Sequence, residues 1–346
     1  MRSKVSVIIT VFAAFCFMMS APYVQAATTL KGASAVPTSL PLGAIGNHFK
    51  EKIEAKTDGK IEVRWLPGSE IGGESAILRQ LQDNVIQFAT LSNAITGNLN
   101  PKLMTMYTPY LIRSWDEFDN FVKSDAATLI LGGLEKHGIM GLGFVPYGFN
   151  VLGHVDPPIQ KLEDCKGRKF RTAEAYTIKG TLEALGMNAA PLPITEVYQS
   201  LQRGVVEGLT LPAFAYPALK LDEVVNNYTV SQHLFGAHVF WMRKDAFEKL
   251  SPDQQKILKE TIAEVCKRDR DEVNGMNQKT LDELKNKGAN IITISPEEMN
   301  RWSHATRDVL VEHEKRIDKF SGDGHDFLQR IYKGLGRDYD KEIYGQ

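Results

Sequence analysis

After residue 26, the chain contains no hydrophobic run long enough to cross a membrane. Its longest apolar stretch covers residues 5–19 and follows the positive charges of Arg2 and Lys4. A small–x–small sequence of the kind that signal peptidases cleave ends at Ala26. A spanning helix needs about 20 apolar residues with flanks that hold it in the bilayer. The pattern therefore predicts a secretory signal peptide over 1–26 and an exported, periplasmic chain from Ala27. A retained N-terminal helix is the alternative.

The chain is also poor in cysteine and balanced in charge. It has 41 Lys and Arg against 42 Asp and Glu, and removing Arg2 and Lys4 with the signal peptide leaves 39 against 42, a net charge of −3. Such a balance gives no electrostatic reason to expect nucleic acid or an anionic membrane as a partner. Only Cys165 and Cys266 follow residue 26, without a cysteine framework around them. Free thiols are expected, and a disulfide between them is the alternative.

Sequence motifs for catalysis and for cofactors are absent as well. The sequence has no HExxH, CxxC, GxSxG or P-loop, and the pair Gly141 and Gly143 lacks the third glycine of a dinucleotide fingerprint. The eight histidines are scattered, and no two have the i, i+3 or i, i+4 spacing of a helical metal site. These absences imply no cofactor and favour a binding protein over an enzyme. An exported enzyme with a dispersed active site is the alternative from another class.

Short strand patterns alternate with amphipathic helices from residue 28 onward. Strands are predicted over 28–35, 61–66 and 86–91, with helices over 42–56 and 74–83 between them. This β-α-β-α-β order predicts a mostly parallel sheet that binds ligands at the carboxyl ends of its strands.

A second α/β unit follows, and a chain of about 320 residues after the signal peptide favours two domains. Strands are predicted over 141–154, 169–172 and 205–211, with helices over 176–185 and 196–202. The first of these strands is longer than an average strand, so it is expected to run from one domain into the other.

The last third of the sequence is predicted to be mainly helical. Ser251 to Gln254 form a capping box with proline at the first helical position, which predicts a helix over 252–287, about 54 Å long. Such a helix would lie across both domains, and two helices broken at Gly275 are the alternative. A second capping box, from Ser295 to Glu298, is predicted to start the C-terminal helices.

One strand carries a candidate ligand contact. In Gly167-Arg168-Lys169-Phe170-Arg171, Arg171 falls at the carboxyl end of the strand, where α/β sheets present ligand-binding side chains. A guanidinium there can hold a carboxylate through two parallel hydrogen bonds. Composition alone would favour an arginine at the surface or in a salt bridge.

Three sequence blocks, together with the entry to the long helix at 250–256, resemble one family. The blocks are PGSEIGGE at 67–74, GRKFR at 167–171, and EVY at 196–198 running into GVVEG at 204–208. They resemble the extracytoplasmic solute-binding proteins of tripartite ATP-independent periplasmic (TRAP) transporters over nearly the whole exported chain.

This resemblance implies an α/β fold of two domains with mixed sheets, hinge strands and a long helix spanning both domains. The implied first domain comprises 27–149 plus 237–278, and the second comprises 150–236 plus 279–346. The ligand cleft lies between them.

The resemblance also places the carboxylate-gripping arginine of the family on Arg171. Further ligand positions fall on or near Ser34, Glu74, Ser92, Asn93, Ile194 and His233. Two positions differ from many family members: Asn150 replaces a second arginine and Leu211 replaces an asparagine that reaches the carboxylate. Candidate hydrogen-bond partners of the ligand are Asn150, Ser92 and Thr210. An apolar wall is expected from Tyr147, Phe149, Phe214, Tyr216 and Trp241, with core packing as the alternative for each.

Together these residues predict a monomeric protein that captures a small organic acid and delivers it to a TRAP membrane permease. The loss of one cation and one amide favours a monocarboxylate with an apolar or aromatic substituent. The alternatives are a C4-dicarboxylate ligand, with His233 or Lys169 replacing the missing arginine, and a sensor subunit built on the same fold.

Overall fold

The structure is a computed structural model that describes residues 27–345, and the predicted signal peptide at 1–26 lies outside the described residues. Its first lobe is built on β1 (Thr28–Ser34), β2 (Ile61–Leu66) and β3 (Phe88–Ser92). Helices α1 (Pro41–Lys56) and α2 (Glu74–Gln82) connect these strands. β1 pairs in parallel with both β2 and β3, which confirms the predicted β-α-β-α-β unit.

Two long strands connect the lobes and make the sheets mixed. β4 (Ile139–His154) pairs antiparallel with β9 (Phe235–Arg243) up to Phe149, and β9 also pairs antiparallel with β3. From Asn150 onward, β4 pairs with β7 (Gly208–Pro212) instead. The predicted crossing strand is therefore confirmed, since its two halves belong to different sheets.

The second lobe continues from this crossing. β5 (Lys169–Thr172) lies between β6 (Asn188–Pro191) and β7, parallel to both. β8 (Asn227–Val230) pairs with β4 and with β10 (Asn290–Thr293). The shorter helices are α3 (Asn93–Thr96), α4 (Trp115–Val122), α5 (Asp125–Leu131) and α9 (Lys244–Glu248) in the first lobe, and α6 (Tyr176–Ala184), α7 (Val197–Gln202) and α8 (Ala215–Ala218) in the second.

Helix α10 (Pro252–Asn286) spans both lobes without a break at Gly275. The Ser251 hydroxyl accepts a hydrogen bond from the Gln254 amide at 3.3 Å, and the Gln254 side chain accepts one from the Ser251 amide at 3.0 Å. The predicted capping box is therefore confirmed. Val265 packs into a core cluster of the first lobe and Leu284 into one of the second, so the helix spans both cores.

The second predicted capping box is only half formed. Ser295 accepts a hydrogen bond from the Glu298 amide at the start of α11 (Pro296–Ala305). The Glu298 carboxylate, however, accepts hydrogen bonds from the Leu162 amide at 2.6 Å and from Trp302 Nε1 at 3.0 Å. The reciprocal bond was wrongly predicted, because this side chain binds the helix to the second lobe.

The last three helices leave the second lobe. They are α12 (Arg307–Ser321), α13 (Gly324–Gly334) and α14 (Tyr339–Ile343). Leu310 and Ile317 of α12 belong to the same hydrophobic cluster as Leu91 of the first lobe. Core packing thus assigns this part of 279–346 to the first lobe, whereas β10 and α11 lie with the second. The predicted domain boundaries otherwise stay a prediction.

Both cysteines in the described part are free and buried, in different core clusters. Burial raises the pKa of the Cys165 thiol to about 12, which makes it unreactive at neutral pH. Across residues 27–345, no helix combines the length and the apolarity that a membrane crossing requires.

The continuous helix α10 generates a stability prediction. A Cβ added at Gly275 would meet no atom within 4 Å, so Gly275→Ala should raise the free energy of unfolding by about 0.5–1 kcal/mol through helix propensity. Gly288 ends the helix at φ +95°, a conformation that alanine adopts only with strain. Gly288→Ala should therefore lower that free energy by about 1–2 kcal/mol. Urea unfolding of both variants measures whether the two changes in the free energy of unfolding have opposite signs. A Gly275→Ala variant less stable than wild type would contradict a continuous helix.

Candidate ligand-binding cleft

The candidate cleft lies where strand ends of the two lobes approach each other. One hydrophobic cluster contains side chains from both sides: Ala94, Met104 and Tyr107 from the first lobe, and Ala175, Ile178 and Leu234 from the second or its junction with the first. Tyr147 packs against it. The lobes are thus in contact, as in the closed form of a hinged binding protein.

Arg171 extends from β5 into this region and is only 6% exposed. Its Nε donates a hydrogen bond to the Leu192 carbonyl at 2.9 Å. No carboxylate within residues 27–345 lies within ion-pair distance of its guanidinium, so the salt-bridged alternative is not what the structure contains. Burial lowers the pKa of Arg171 to about 10, and the phenols of Tyr216 and Tyr147 oppose that shift. A buried cation without a counter-charge costs several kcal/mol, which an anionic ligand would offset.

In the first lobe, Glu74 lies at the start of α2. Its carboxylate accepts hydrogen bonds from the Ser92 amide and from the Ser92 hydroxyl, both at 2.7 Å. His238 of β9 pairs with Ser92 in the sheet, and its Nε2 lies 3.9 Å from Glu74 Oε1. Sheet pairing thus holds a carboxylate and an imidazole together.

Tyr147 lies between the charges of the two lobes. Its hydroxyl donates a hydrogen bond to the Tyr107 hydroxyl at 2.8 Å, and its ring lies against Gly236. A Cβ at Gly236 would come within 1.9 Å of that ring, so only glycine fits there. Burial raises the pKa of Tyr147; Glu74 adds to the shift and Arg171 opposes it, which indicates that both charges act on this phenol.

Several buried polar atoms around this cleft have no hydrogen-bond partner within the described residues. They are both side-chain amide atoms of Asn93, Oδ1 of Asn150 and Nδ1 of His238. A buried polar group left unpaired costs about 1–3 kcal/mol, and native structures keep few of them. The arrangement can therefore accept a polar molecule that supplies the missing partners.

His233 does not supply a second cation. Its Nε2 lies 2.9 Å from the Thr210 hydroxyl and its Nδ1 lies 2.6 Å from the Ser231 hydroxyl, so both ring nitrogens are already engaged. Burial lowers the pKa of His233 to about 3, which leaves it neutral at pH 7. Lys169 is exposed at the other end of β5. Neither residue replaces the missing arginine in this structure, and the Thr210 hydroxyl is shared with His233.

The apolar residues predicted from the sequence do not all converge on the cleft. Trp241 lies fully buried in the first-lobe core, Phe214 in a second core cluster, and Leu211 packs against two core clusters. Phe149 packs edge-on to Phe235, and Ile194 is 42% exposed. The apolar lining beside Arg171 comes instead from the cluster around Tyr147 that both lobes share.

The remaining predicted residues have local roles that the structure defines. Ser34 is fully buried at the end of β1, where its hydroxyl accepts a hydrogen bond from the Val36 amide at 3.2 Å. Tyr216 is buried and donates to the Val151 carbonyl at 3.0 Å. Sequence reasoning missed Tyr107 and His238, which belong to no motif. Sheet pairing brings His238 near Glu74, whereas Tyr107 bonds Tyr147 from a 3-10 helix.

The described residues contain no cluster of metal ligands at the cleft. Within residues 27–345, no three His, Cys, Asp or Glu side chains converge as metal ligands would. A surface cavity of about 410 Å³ lies elsewhere, between the segment around Tyr110 and helices α11 to α14, and no predicted ligand residue lines it.

The unpaired state of Arg171 predicts how its removal changes stability. Without ligand, Arg171→Met should raise the free energy of unfolding by about 1–2 kcal/mol, because it removes a buried charge that lacks a counter-ion. Arg168, the residue before β5, donates to the carbonyls of Pro157 and Val155 and pairs with Glu207 at 3.1 Å. Arg168→Met should lower the same free energy by about 3–5 kcal/mol. Denaturant unfolding of the two variants makes the comparison, and equal destabilisation would show that Arg171 is structural.

The sequence profile of the family described as bacterial extracellular solute-binding protein, family 7, matches residues 32–316. A C4-dicarboxylate-binding periplasmic protein of Rhodobacter capsulatus is 27% identical over 310 residues, covering 88% of this chain and 92% of that protein.

Solved structures agree with the fold. A TRAP periplasmic solute-binding protein of Ochrobactrum anthropi, with its C terminus bound in the ligand-binding pocket, is 26% identical with a TM-score of 0.81, covering 90% of this chain and 95% of that one. Another from Bordetella, whose density was interpreted as pantoate, is 25% identical with a TM-score of 0.79, covering 88% and 98%.

Proposed function

The chain belongs to the bacterial extracellular solute-binding proteins of family 7, and from this premise we propose that it captures a small organic acid in the cleft at Arg171. Domain closure would bring the carboxylate and the guanidinium together out of water, where their attraction is stronger. The observation that carries the proposal is the buried guanidinium without a carboxylate partner within residues 27–345.

The charges around the cleft support a single carboxylate in the ligand. Arg171 and Glu74 act with opposite sign on the phenol of Tyr147, and His233 is neutral. Burial also lowers the pKa of His238, so this second histidine adds no positive charge. A second ligand carboxylate would lose its hydration, gain no cation and meet the charge of Glu74, a cost of several kcal/mol.

The rest of the ligand would combine a polar group with an apolar substituent. Nδ2 of Asn93 can donate a hydrogen bond to a 2-oxo or 2-hydroxy oxygen, and Oδ1 of Asn150 can accept one from a 2-hydroxy group. Nδ1 of His238 can donate or accept, depending on its tautomer. The shared cluster around Tyr147 offers apolar surface, and each Å² of apolar ligand surface buried there contributes about 25 cal/mol. The pantoate assigned to the Bordetella relative is a hydroxylated monocarboxylate with an apolar centre.

The alternative ligand is a C4-dicarboxylate, as the name of the Rhodobacter capsulatus relative states for that protein. The proposed location is the periplasm, supported by the predicted signal peptide and by the names of the relatives. The proposed partner is the membrane permease of a TRAP transporter, to which the closed protein would deliver its ligand. No catalytic step is proposed.

The Arg171 contact should dominate binding. Arg171→Ala should weaken the binding of the best organic acid by about 30-fold to several thousandfold, because a charge-assisted bidentate contact in a dry cleft contributes about 2–5 kcal/mol. Arg171→Lys should restore only part of the affinity, since an ammonium cannot form the planar fork. Titration calorimetry measures both. The exposed Lys169→Ala on the same strand serves as control, and an Arg171→Ala affinity within threefold of wild type would refute the assignment.

Ligand type is tested by a panel of acids at equal concentration. Phenylpyruvate and 2-oxoisovalerate should bind more tightly than succinate, malate and fumarate, because Arg171 would pair with one carboxylate while His233 and His238 stay neutral. Glu74→Gln should reduce the affinity ratio between the monocarboxylates and the C4 acids by about 5- to 10-fold, since it removes a negative charge that would repel a second carboxylate. Thermal-shift and calorimetric measurements decide the order. Tighter binding of any C4 acid than of every monocarboxylate tested would favour the alternative.

A further inference from the structure

His313 of α12 connects the two lobes through its ring nitrogens. Nε2 lies 2.7 Å from the hydroxyl of Thr105, in the 3-10 helix Pro101–Tyr107 of the first lobe. Nδ1 lies 2.7 Å from the hydroxyl of Tyr176, the first residue of α6 in the second lobe. The ring is fully buried, so neither nitrogen has water as an alternative partner. Neither the sequence blocks nor the candidate ligand contacts include this bridge.

A second residue of α12, Arg316, also contacts Tyr176. The guanidinium of Arg316 lies 4.4 Å from the centre of the Tyr176 ring, a distance typical of a cation–π contact. Tyr176 also packs against the cluster that both lobes share, and it follows Arg171 by five residues at the start of the next helix. A contact that fixes Tyr176 therefore also fixes the segment that carries the ligand-binding arginine.

The partners of the bridge belong to different lobes. Leu310 and Ile317, on either side of His313, pack in the first-lobe core, whereas α6 packs on β5 and β6 of the second lobe. Opening of the cleft would separate Tyr176 from His313 and expose both to water. We propose that the Thr105–His313–Tyr176 bridge is an interlobe latch, with His313 and Tyr176 as positioning residues that stabilise the closed form. This inference rests on the proposed function, in which the cleft closes on an organic acid.

The latch makes closure depend on pH. Burial, and to a smaller extent the charge of Arg316, lowers the pKa of His313 to about 3 in the closed form. A ring exposed by opening would return toward the ordinary value of about 6.5. Below that pH the open form takes up a proton that the closed form excludes, so acid favours opening. The latch contributes fully to the equilibrium constant for closure above about pH 7.5. Below pH 6.5 that equilibrium constant falls by at most about tenfold per pH unit.

The other charged groups near the bridge are paired among themselves. On α12, Arg316 lies 3.5 Å from Glu312. Lys102, in the 3-10 helix of Thr105, pairs with Asp323 at 2.6 Å, and His325 of α13 lies 3.2 Å from both Glu314 and Asp340. On the remaining neighbours, α6 contributes the Tyr176 phenol and the Lys179–Glu183 ion pair, and α11 contributes the exposed His304 and the Arg301–Glu298 ion pair. Helix α14 contributes the same Asp340. Protonation of His313 is thus opposed by burial and by Arg316.

The first test removes one hydroxyl. Tyr176→Phe keeps the ring under Arg316 but leaves His313 Nδ1 unpaired, and it should weaken phenylpyruvate or succinate binding by about 5- to 50-fold at pH 7.5. Tyr198→Phe is the matched control, because its hydroxyl bonds only Glu223 within the second lobe. Affinity of Tyr176→Phe within twofold of the control would overturn the latch.

The second test replaces His313 by a residue that does not titrate. His313→Gln retains a neutral donor and acceptor that cannot take up a proton, so its phenylpyruvate affinity should fall up to about 30-fold less than that of wild type between pH 7.5 and 5.0. The ionisation of the ligand affects both proteins equally, so it cancels from the ratio of their affinities. The exposed His304→Gln should keep the wild-type pH profile. Equal slopes for wild type and His313→Gln would overturn the proposal.

A lobe-distance measurement separates failure of the latch from failure of the proposed function. Fluorophores at Glu70→Cys and Gln199→Cys, both exposed near the cleft, report the interlobe distance, while the native cysteines stay buried. Phenylpyruvate and succinate are both used, so the result does not depend on ligand type. If neither closes the wild type, the proposed function fails. The latch itself is then tested without ligand. A longer mean interlobe distance in Tyr176→Phe than in wild type supports the latch, and an unchanged distance overturns it.

Discussion

The cleft depends on a buried guanidinium that lacks a carboxylate partner within residues 27–345. Arg171 is placed there by β5, which is fixed on both sides by β6 and β7. The neighbouring Arg168 shows the opposite arrangement, since two carbonyls and Glu207 satisfy it. Two arginines three residues apart therefore differ in their pairing: Arg168 has a carboxylate partner, and Arg171 has none within residues 27–345.

Much of the fold followed from the sequence because its signals are local. Capping at Ser251, strand periodicity over 61–66 and the Arg171 strand each depend on a few adjacent residues. The unpredicted features depend on distant pairing. Glu298 completes no capping box because Leu162 and Trp302 bind its carboxylate. The C-terminal helices return to the first lobe through packing that no local pattern indicates.

The candidate site divides in the same way. Arg171 and Glu74 lie in recognisable blocks; the structure buries Arg171 and bonds Glu74 to Ser92. His238 and Tyr107 carry no motif. His238 comes near Glu74 because β9 pairs with β3, and Tyr107 bonds Tyr147 from the end of a 3-10 helix. Aromatic residues were harder to assign. Trp241 and Phe214 look the same in sequence whether they line a ligand or fill a core, and both are buried in core clusters. Only the tertiary structure separates the two roles.

The position of β9 also constrains how the chain acquires its structure. β3 ends at Ser92 and its antiparallel partner begins at Phe235, so about 140 residues must be synthesised before the central strand of the first sheet exists. Until then β3 has an unpaired edge, and the first lobe cannot close its core. Contacts at such sequence separation form slowly. An N-terminal lobe without its partner strand cannot complete its sheet as it emerges, which would suit the periplasmic location proposed above.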